Sequence, residues 1–303
     1  MLTIVRMKRL TFLLALSLCG VAVARAPAVP DAEPLFAAPT RVDRIGRIVA
    51  PVFINGLGPF RLVLDTGANH TTISPALAAR LGLVPHVDNE LMLHGVTGAE
   101  VVPAVIVDRL QAGELIVEGV RVPVIATDIM AGADGILGVA GLTRERISVN
   151  FRADRITIAR SKGLLPSGVL RIPTARVAGG LLMVEARVGG VRVRGVIDTG
   201  AEHSLGNLPL QAALKKRRRL QPPRSTAVFG TTTAISNGQL SGVPDIKIGT
   251  ATISQMNLVF GDFHIFKVWD LAEEPAMLIG MDVLGTVSEL IIDFKLRTVY
   301  VVA

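Results

Sequence analysis

The chain has 303 residues, half of them hydrophobic but only 4% aromatic, with a formal charge of +7 and a single cysteine. This composition excludes disorder as the main state, provides apolar material for one large domain or two medium ones, and excludes a disulfide framework. Apart from one run at 215–219 the cations are scattered, which is no nucleic-acid footprint, and a core short of aromatics must be built from Val, Ile, Leu and Ala, much of it in strands.

At the N-terminus, Arg6, Lys8 and Arg9 precede an apolar run over 10–23, and Ala22, Ala24 and Ala26 supply small residues for cleavage. Residues 1–26 therefore read as a secretory signal, which predicts an exported chain, periplasmic or secreted. A retained anchor is the alternative, but the run is shorter than the roughly 20 residues of a spanning helix. Cys19 lies inside the signal, so the mature chain would hold no thiol and no cysteine-ligated metal. A lipid on Cys19 is a lesser alternative, because Leu18 stands where such signals carry a small residue. Residues 27–39, rich in Pro and Ala, read as a flexible leader.

The rest of the chain passes twice through the same four landmarks, a repeat that can decide a fold. Val63-Leu64-Asp65-Thr66-Gly67-Ala68-Asn69-His70-Thr71 matches Val196-Ile197-Asp198-Thr199-Gly200-Ala201-Glu202-His203-Ser204. Leu93-His94-Gly95-Val96-Thr97 then pairs with Val228-Phe229-Gly230-Thr231-Thr232, and Gly135-Ile136-Leu137-Gly138 with Met277-Leu278-Ile279-Gly280. Each half closes on a strand, Val149-Asn150-Phe151-Arg152 or Ile292-Asp293-Phe294-Lys295. Between the landmarks, Val- and Ile-rich runs alternate with turn signals at Asn55-Gly56, Gly189-Gly190 and Asn237-Gly238. Short helices are predicted over 75–81, with Ser74 as cap and Pro75 in the first turn, and over 208–214. The lobes so defined span 40–160 and 169–303, joined by a Gly- and Pro-bearing linker over 161–168.

Each Asp-Thr-Gly follows an apolar strand and precedes a break, which sets its carboxylate on a tight loop at a strand end. Threonine is expected to donate within its own loop and fix the carboxylate there. One such tripeptide is weak evidence, since an Asx turn explains it. Two in equivalent places imply loops that meet at an approximate two-fold axis, and carboxylates that close share a proton and divide into acid and base.

In these motifs the chain resembles the aspartic peptidase superfamily, specifically the bacterial retropepsin-like aspartyl proteases with two lobes in one chain. The resemblance implies a mainly β fold of two homologous β-barrel lobes with few short helices and a central cleft. Asp65 and Asp198 would be catalytic, carried on active-site loops with Thr66, Gly67 and Ala68, and Thr199, Gly200 and Ala201. It also implies a substrate-binding flap, for which Gly95, Val96, Thr97 and Gly98 are the better candidates, with Gly230 and Thr231 equivalent. A peptide or extended protein segment would be the substrate, with no cofactor, no metal and no nucleic-acid partner. A monomer is expected, since the internal repeat argues against a homodimer of half-sites. A catalytically silent peptide-binding module of the same fold is the alternative.

Two departures stand out. Pepsin-like enzymes carry a flap tyrosine, whereas Tyr300 here lies near the C-terminus. They also carry a hydroxyl residue where this chain has Ala68 and Ala201, and its absence should leave the pair titrating higher, with a rate optimum in mildly acidic to near-neutral conditions.

Other features take bland readings. His70 and His203 are assigned to packing or local hydrogen bonding, Asp134 and Asp282 to surface turns, and Trp269 to the core of an insertion in the second half. The run Lys215-Lys216-Arg217-Arg218-Arg219 is read as a solvated helix end, with membrane-surface contact as the sharper alternative.

Overall fold

Branched aliphatic side chains at alternate positions let a strand bury one face, and the chain is accordingly mainly β. The computed structural model describes residues 37–39, 41–42, 46–126, 132–163 and 168–302. The expected signal with Cys19, most of the leader and residues 164–167 of the linker lie outside them. Among the described residues no helix is long and apolar enough to cross a membrane.

The first half runs β1 (Ala37–Pro39), β2 (Arg41–Val42), β3 (Ile48–Ile54), β4 (Leu57–Leu64), β5 (Thr72–Ile73), α1 (Pro75–Arg80), β6 (His86–His94), β7 (Ala99–Ala112), β8 (Leu115–Pro123), β9 (Gly135–Leu137), β10 (Glu145–Asn150) and β11 (Arg155–Arg160). The second runs β12 (Leu170–Pro173), β13 (Ala175–Arg176), β14 (Leu182–Val188), β15 (Val191–Ile197), β16 (Leu205–Gly206), α2 (Leu208–Lys216), β17 (Arg224–Phe229), β18 (Ile235–Gly242), β19 (Ile246–Ile248) and β20 (Ala251–Ile253). It ends with β21 (Asn257–Phe260), α3 (His264–Val268), β22 (Ala276–Ile279), α4 (Met281–Leu284), β23 (Glu289–Asp293) and β24 (Thr298–Val302).

Each lobe has its own sheet, ordered β5-β9-β4-β3-β7-β6 in the first and β17-β18-β21-β16-β22-β15-β14-β19-β20 in the second. Both lobes begin with a hairpin, β3–β4 or β14–β15, whose two-residue turn has positive φ at both positions: Asn55 and Gly56, Gly189 and Gly190. Such turns match the right-handed twist of the strands they join. The third turn signal fails. Asn237-Gly238 lies inside β18, opposite Ala227 and Thr226, and a Cβ on Gly238 would stand 2.5 Å from Val259 Cγ1. That glycine serves a close approach between strands, which a local pattern cannot distinguish from a turn.

A third sheet joins the lobes in the order β1-β11-β10-β23-β24-β12, with β10 and β23 antiparallel across the junction. Ala37–Pro39, assigned by sequence to the leader, is an edge strand on β11, a place where proline is tolerated. Ile147, Val149, Ile156, Ile158, Leu290, Ile292 and Val299 from this sheet are buried in the main core. Arg146 on β10 donates from Nε and Nη2, each at 2.8 Å, to Asp293 Oδ2 on β23, where Ser161 Oγ also donates at 2.7 Å. The other oxygen of Asp293 accepts from Leu296 N at 2.8 Å, as Asn150 Oδ1 accepts from Ala153 N in the first half.

Both predicted helices form, and each starts on a side-chain cap. Leu77 N donates to Ser74 Oγ at 3.1 Å, and Leu210 N to Asn207 Oδ1 at 3.0 Å. The second helix extends to Lys216, and the basic run beyond it is exposed. Helices α3 and α4 were not legible in sequence, being too short for a helical period. Trp269, just after α3, is buried and meets Phe266 edge-on with centroids 6.0 Å apart.

Asp293 is fully buried, so Asp293→Ala would remove the carboxylate that holds both Arg146 and the Ser161 hydroxyl in the junction. The expected loss is about 3 kcal/mol of unfolding free energy, read as a lower denaturant midpoint; an unchanged midpoint would contradict this role.

Candidate active site

Two parallel strand pairs position the aspartates. β4 lies beside β9 with Leu64 opposite Leu137, and β15 beside β22 with Ile197 opposite Ile279. The ladder runs one bond further in each lobe, Asp65 N donating to Leu137 O and Asp198 N to Ile279 O, both at 3.0 Å. Beyond the turn the chain is pinned again, Val139 N to Ala68 O at 2.9 Å and Met281 N to Ala201 O at 2.8 Å. Each Asp-Thr-Gly-Ala loop is thus fixed at both ends to the strand beside it.

The loops are also tied to each other. Thr66 Oγ1 donates to Ile197 O at 2.8 Å, and Thr199 Oγ1 donates to Leu64 O at 2.7 Å. In return Thr199 N donates to Thr66 Oγ1 at 3.1 Å, and Thr66 N to Thr199 Oγ1 at 3.2 Å. Both threonines are buried. The sequence reading placed these hydroxyl bonds within each loop; they cross to the other lobe instead, a partnership that one loop's sequence cannot reveal.

The carboxylates are held by backbone amides. Asp65 Oδ1 accepts from Gly67 N at 2.8 Å, while Asp198 Oδ1 accepts from Gly200 N at 2.9 Å and Ala201 N at 3.0 Å. The glycines matter through what lies opposite. A Cβ on Gly67 would fall 2.4 Å from Asp198 Cγ, and one on Gly200 would fall 2.2 Å from Asp65 Cγ. Each carboxylate therefore rests on the glycine of the other loop, near enough that each alters the other's acidity.

Burial raises both carboxyls above the ordinary Asp value of 3.8. Asp198 is raised well above it, because the neighbouring Asp65 charge adds to its desolvation. Asp65 is restrained by the hydrogen bond from Asp198, by the Gly67 amide and by the positive field of Arg47. Such a pair retains one proton after an isolated aspartate has lost its own, leaving an acid and a base side by side.

Arg47 was missed by the sequence reading. It is buried immediately before β3, and strand register places Leu181 at the equivalent position before β14. Asp282 was read as a surface turn, yet it accepts from Ser204 Oγ at 2.6 Å and Ser204 N at 3.0 Å. That serine in turn accepts from Gly280 N at 2.9 Å, a place taken in the first lobe by Thr71 Oγ1, which accepts from Gly138 N at 3.3 Å. Asp134 does keep its turn role, accepting from Arg61 N at 2.8 Å. The rings of His70 and His203 are exposed, contrary to a packing role, and His203 pairs at 3.5 Å with Glu202.

Two hairpins carry the remaining sequence-predicted residues. The β6–β7 tip closes with Gly95 N donating to Gly98 O at 2.8 Å, and the β17–β18 tip comes up against it. Thr97 and Thr232 bring their hydroxyls to 3.1 Å, and Thr231 Oγ1 lies 2.8 Å from where a Gly95 Cβ would be. Gly230 abuts Thr97 and Val96 in the same way, with Thr97 Oγ1 2.9 Å from its Cβ position. Glu100 Oε2 accepts from both Thr233 N and Thr233 Oγ1 at 3.1 Å. At the base of the first tip, His94 Nδ1 meets His264 Nε2 of α3 at 3.1 Å. Under this hairpin, Leu93, Val102, Ile125 and Ile136 form a separate apolar cluster against Ala68. Among the described residues no group of His, Cys, Asp and Glu could hold a metal ion.

This arrangement of paired carboxylates between two lobes agrees with the comparisons. A family model described as "Aspartyl protease" matches residues 50–140 and 184–283, more than half of the chain, which therefore belongs to that family. The crystal structure of an aspartic proteinase from Irpex lacteus shares the fold, with a TM-score of 0.52 over 88% of this chain and 97% of that one, at 14% sequence identity. No curated protein matches the chain.

Thr199→Val keeps the side-chain shape but strands Leu64 O and Thr66 N in the buried junction. It should cost about 2 kcal/mol or more in urea unfolding, with Thr199→Ser restoring most of the loss. Equal stability of the Val and Ser variants would contradict the cross-lobe tie.

Proposed function

We propose that the chain is an aspartic endopeptidase that hydrolyses peptide bonds with water activated between Asp65 and Asp198. The observation that carries this reading is the meeting of two buried loops between the lobes, with each carboxyl pressed against the other loop's glycine. The Irpex lacteus neighbour is named an aspartic proteinase, which supports the same chemistry.

The geometry suits a proton held first on Asp198, whose acidity burial and its neighbour both suppress. Asp65, the ionised member beside Arg47, accepts a proton from water as the water oxygen attacks the peptide carbonyl carbon. Asp198 gives its proton to the carbonyl oxygen, so charge does not accumulate on the tetrahedral intermediate. Transfer of the proton on Asp65 to the amide nitrogen, with return of one hydroxyl proton of the intermediate to Asp198, then lets the C–N bond break into acid and amine and restores the pair. The pair needs no metal for these steps, because acid and base are both already in place.

An extended peptide would lie between the pair and the two hairpin tips, held mainly through its backbone. Gly95, Val96, Thr97 and Gly98 would close over it from one side and Gly230 and Thr231 from the other, once the contacts between the tips part. A single chain supplies both aspartates, so a monomer suffices. The basic and apolar pattern of residues 1–26 supports export, with the enzyme working in the periplasm or outside the cell.

Asp65→Asn and Asp198→Asn should each lower kcat on a degenerate peptide library by at least roughly a thousandfold while the fold is kept. The amide keeps the shape and can still accept from the loop amides, but at 65 it cannot take the water's proton and at 198 it has none to give the carbonyl oxygen. Near-wild-type turnover in either variant would refute the one-pair mechanism. Wild-type protein that binds peptides yet cleaves none between pH 3 and 8 would instead be a silent peptide-binding module.

A further inference from the structure

Away from the aspartates, a hollow of about 490 Å³ opens at the junction of the lobes, lined by Thr143, Arg144, Arg160, Ser161, Arg176 and Lys295. The cations arrive from separate parts of the fold. Arg144 precedes β10 and Arg160 ends β11 in the first lobe, while Arg176 lies in β13 and Lys295 in the β23–β24 turn of the second.

The carboxylates nearby are committed elsewhere. Glu145 Oε2 accepts from Arg144 N at 2.8 Å and Glu114 Oε2 from Arg160 N at 2.6 Å, both backbone amides, and Asp293 takes Arg146 and Ser161. None of the four lining cations forms an ion pair among the described residues. Two of them are steadied by carbonyls: Arg176 Nη2 donates to Phe294 O at 3.1 Å and Lys295 Nζ to Ser161 O at 3.4 Å. The side chains of Arg144 and Arg160 make no hydrogen bond there and remain available.

Four like charges around one hollow repel one another and concentrate anions from solution. Three of them are arginines, whose planar forks present paired donors to phosphate oxygens. The hollow is much larger than one phosphate requires. We propose that it is a binding site for a soluble anion carrying several linked phosphate groups, which bridges the lobes through Arg144 and Arg160 on one side and Arg176 and Lys295 on the other. This is independent of the hydrolytic reading, because none of these residues belongs to the paired-carboxylate site.

The test uses inorganic tripolyphosphate and the full chain. Thermal unfolding should show a saturable rise in Tm that sodium chloride of equal ionic strength does not reproduce, since only a ligand of the folded state stabilises by mass action. Arg144→Gln combined with Arg160→Gln should abolish the rise, whereas Lys215→Gln with Lys216→Gln, in the exposed basic run after α2, should leave it intact. If the double arginine variant does not fold, Lys295→Gln should weaken the Kd from isothermal titration at least tenfold. An equal response to sodium chloride, a rise that survives in Arg144→Gln/Arg160→Gln, an unchanged Kd in Lys295→Gln, or a loss confined to the Lys215/Lys216 variant would overturn the assignment.

Discussion

The exchange of hydrogen bonds between Thr66 and Thr199 sets the distance on which the site depends. Each hydroxyl reaches the carbonyl that ends the other lobe's strand, Ile197 O or Leu64 O, so the two loops cannot separate without orphaning buried polar groups. At that separation each carboxylate must rest on the opposite glycine, since any larger residue would overlap it. Burial then makes ionisation costly for both aspartates, and sharing one proton is the least costly arrangement. A stability device made of four ordinary hydrogen bonds thus creates the chemical asymmetry.

The two lobes repeat the loop and its pinning bonds but differ around them, and the differences give each aspartate its own surroundings. Arg47 stands near Asp65 where the second lobe has Leu181, which favours ionisation on the first side. Asp282 braces the Ser204 hydroxyl in the second lobe, whereas Thr71 in the first reaches Gly138 without a comparable carboxylate bond. The hairpins are unequal too: His94 of the first contacts α3, which belongs to the stretch without a counterpart in the first half.

Much of this was legible in sequence. The order of the four landmarks carried the two-lobed β fold, because glycines at loop junctions and apolar strand ends are local requirements that recur wherever the backbone recurs. The helix cap Ser74 was readable on the same ground, whereas the Asn207 cap of the second helix emerged only in the structure. What was hidden depends on partners distant in the chain. The threonines' crossed bonds span more than 130 residues, Gly238 answers to Val259 on another strand, and Arg47 sits before an ordinary strand with nothing local to mark it. The joining sheet and its Arg146–Asp293 bond were equally invisible, since each half shows only its own closing strand.

Raised carboxyl pKa values have a cost with a definite sign. Between the ordinary value of 3.8 and the folded values, the folded chain holds protons that the unfolded chain has released, so stability falls as pH rises through that interval. The most direct test is to follow the carboxyl carbons of Asp65 and Asp198 by 13C NMR across a pH titration of aspartate-labelled protein, using the two Asn variants for assignment. The account predicts a coupled two-step titration in which both carbons respond to each step and the upper step lies well above 3.8. Two independent single-step curves near 3.8 would contradict it, because carboxyls that titrate so do not share a proton.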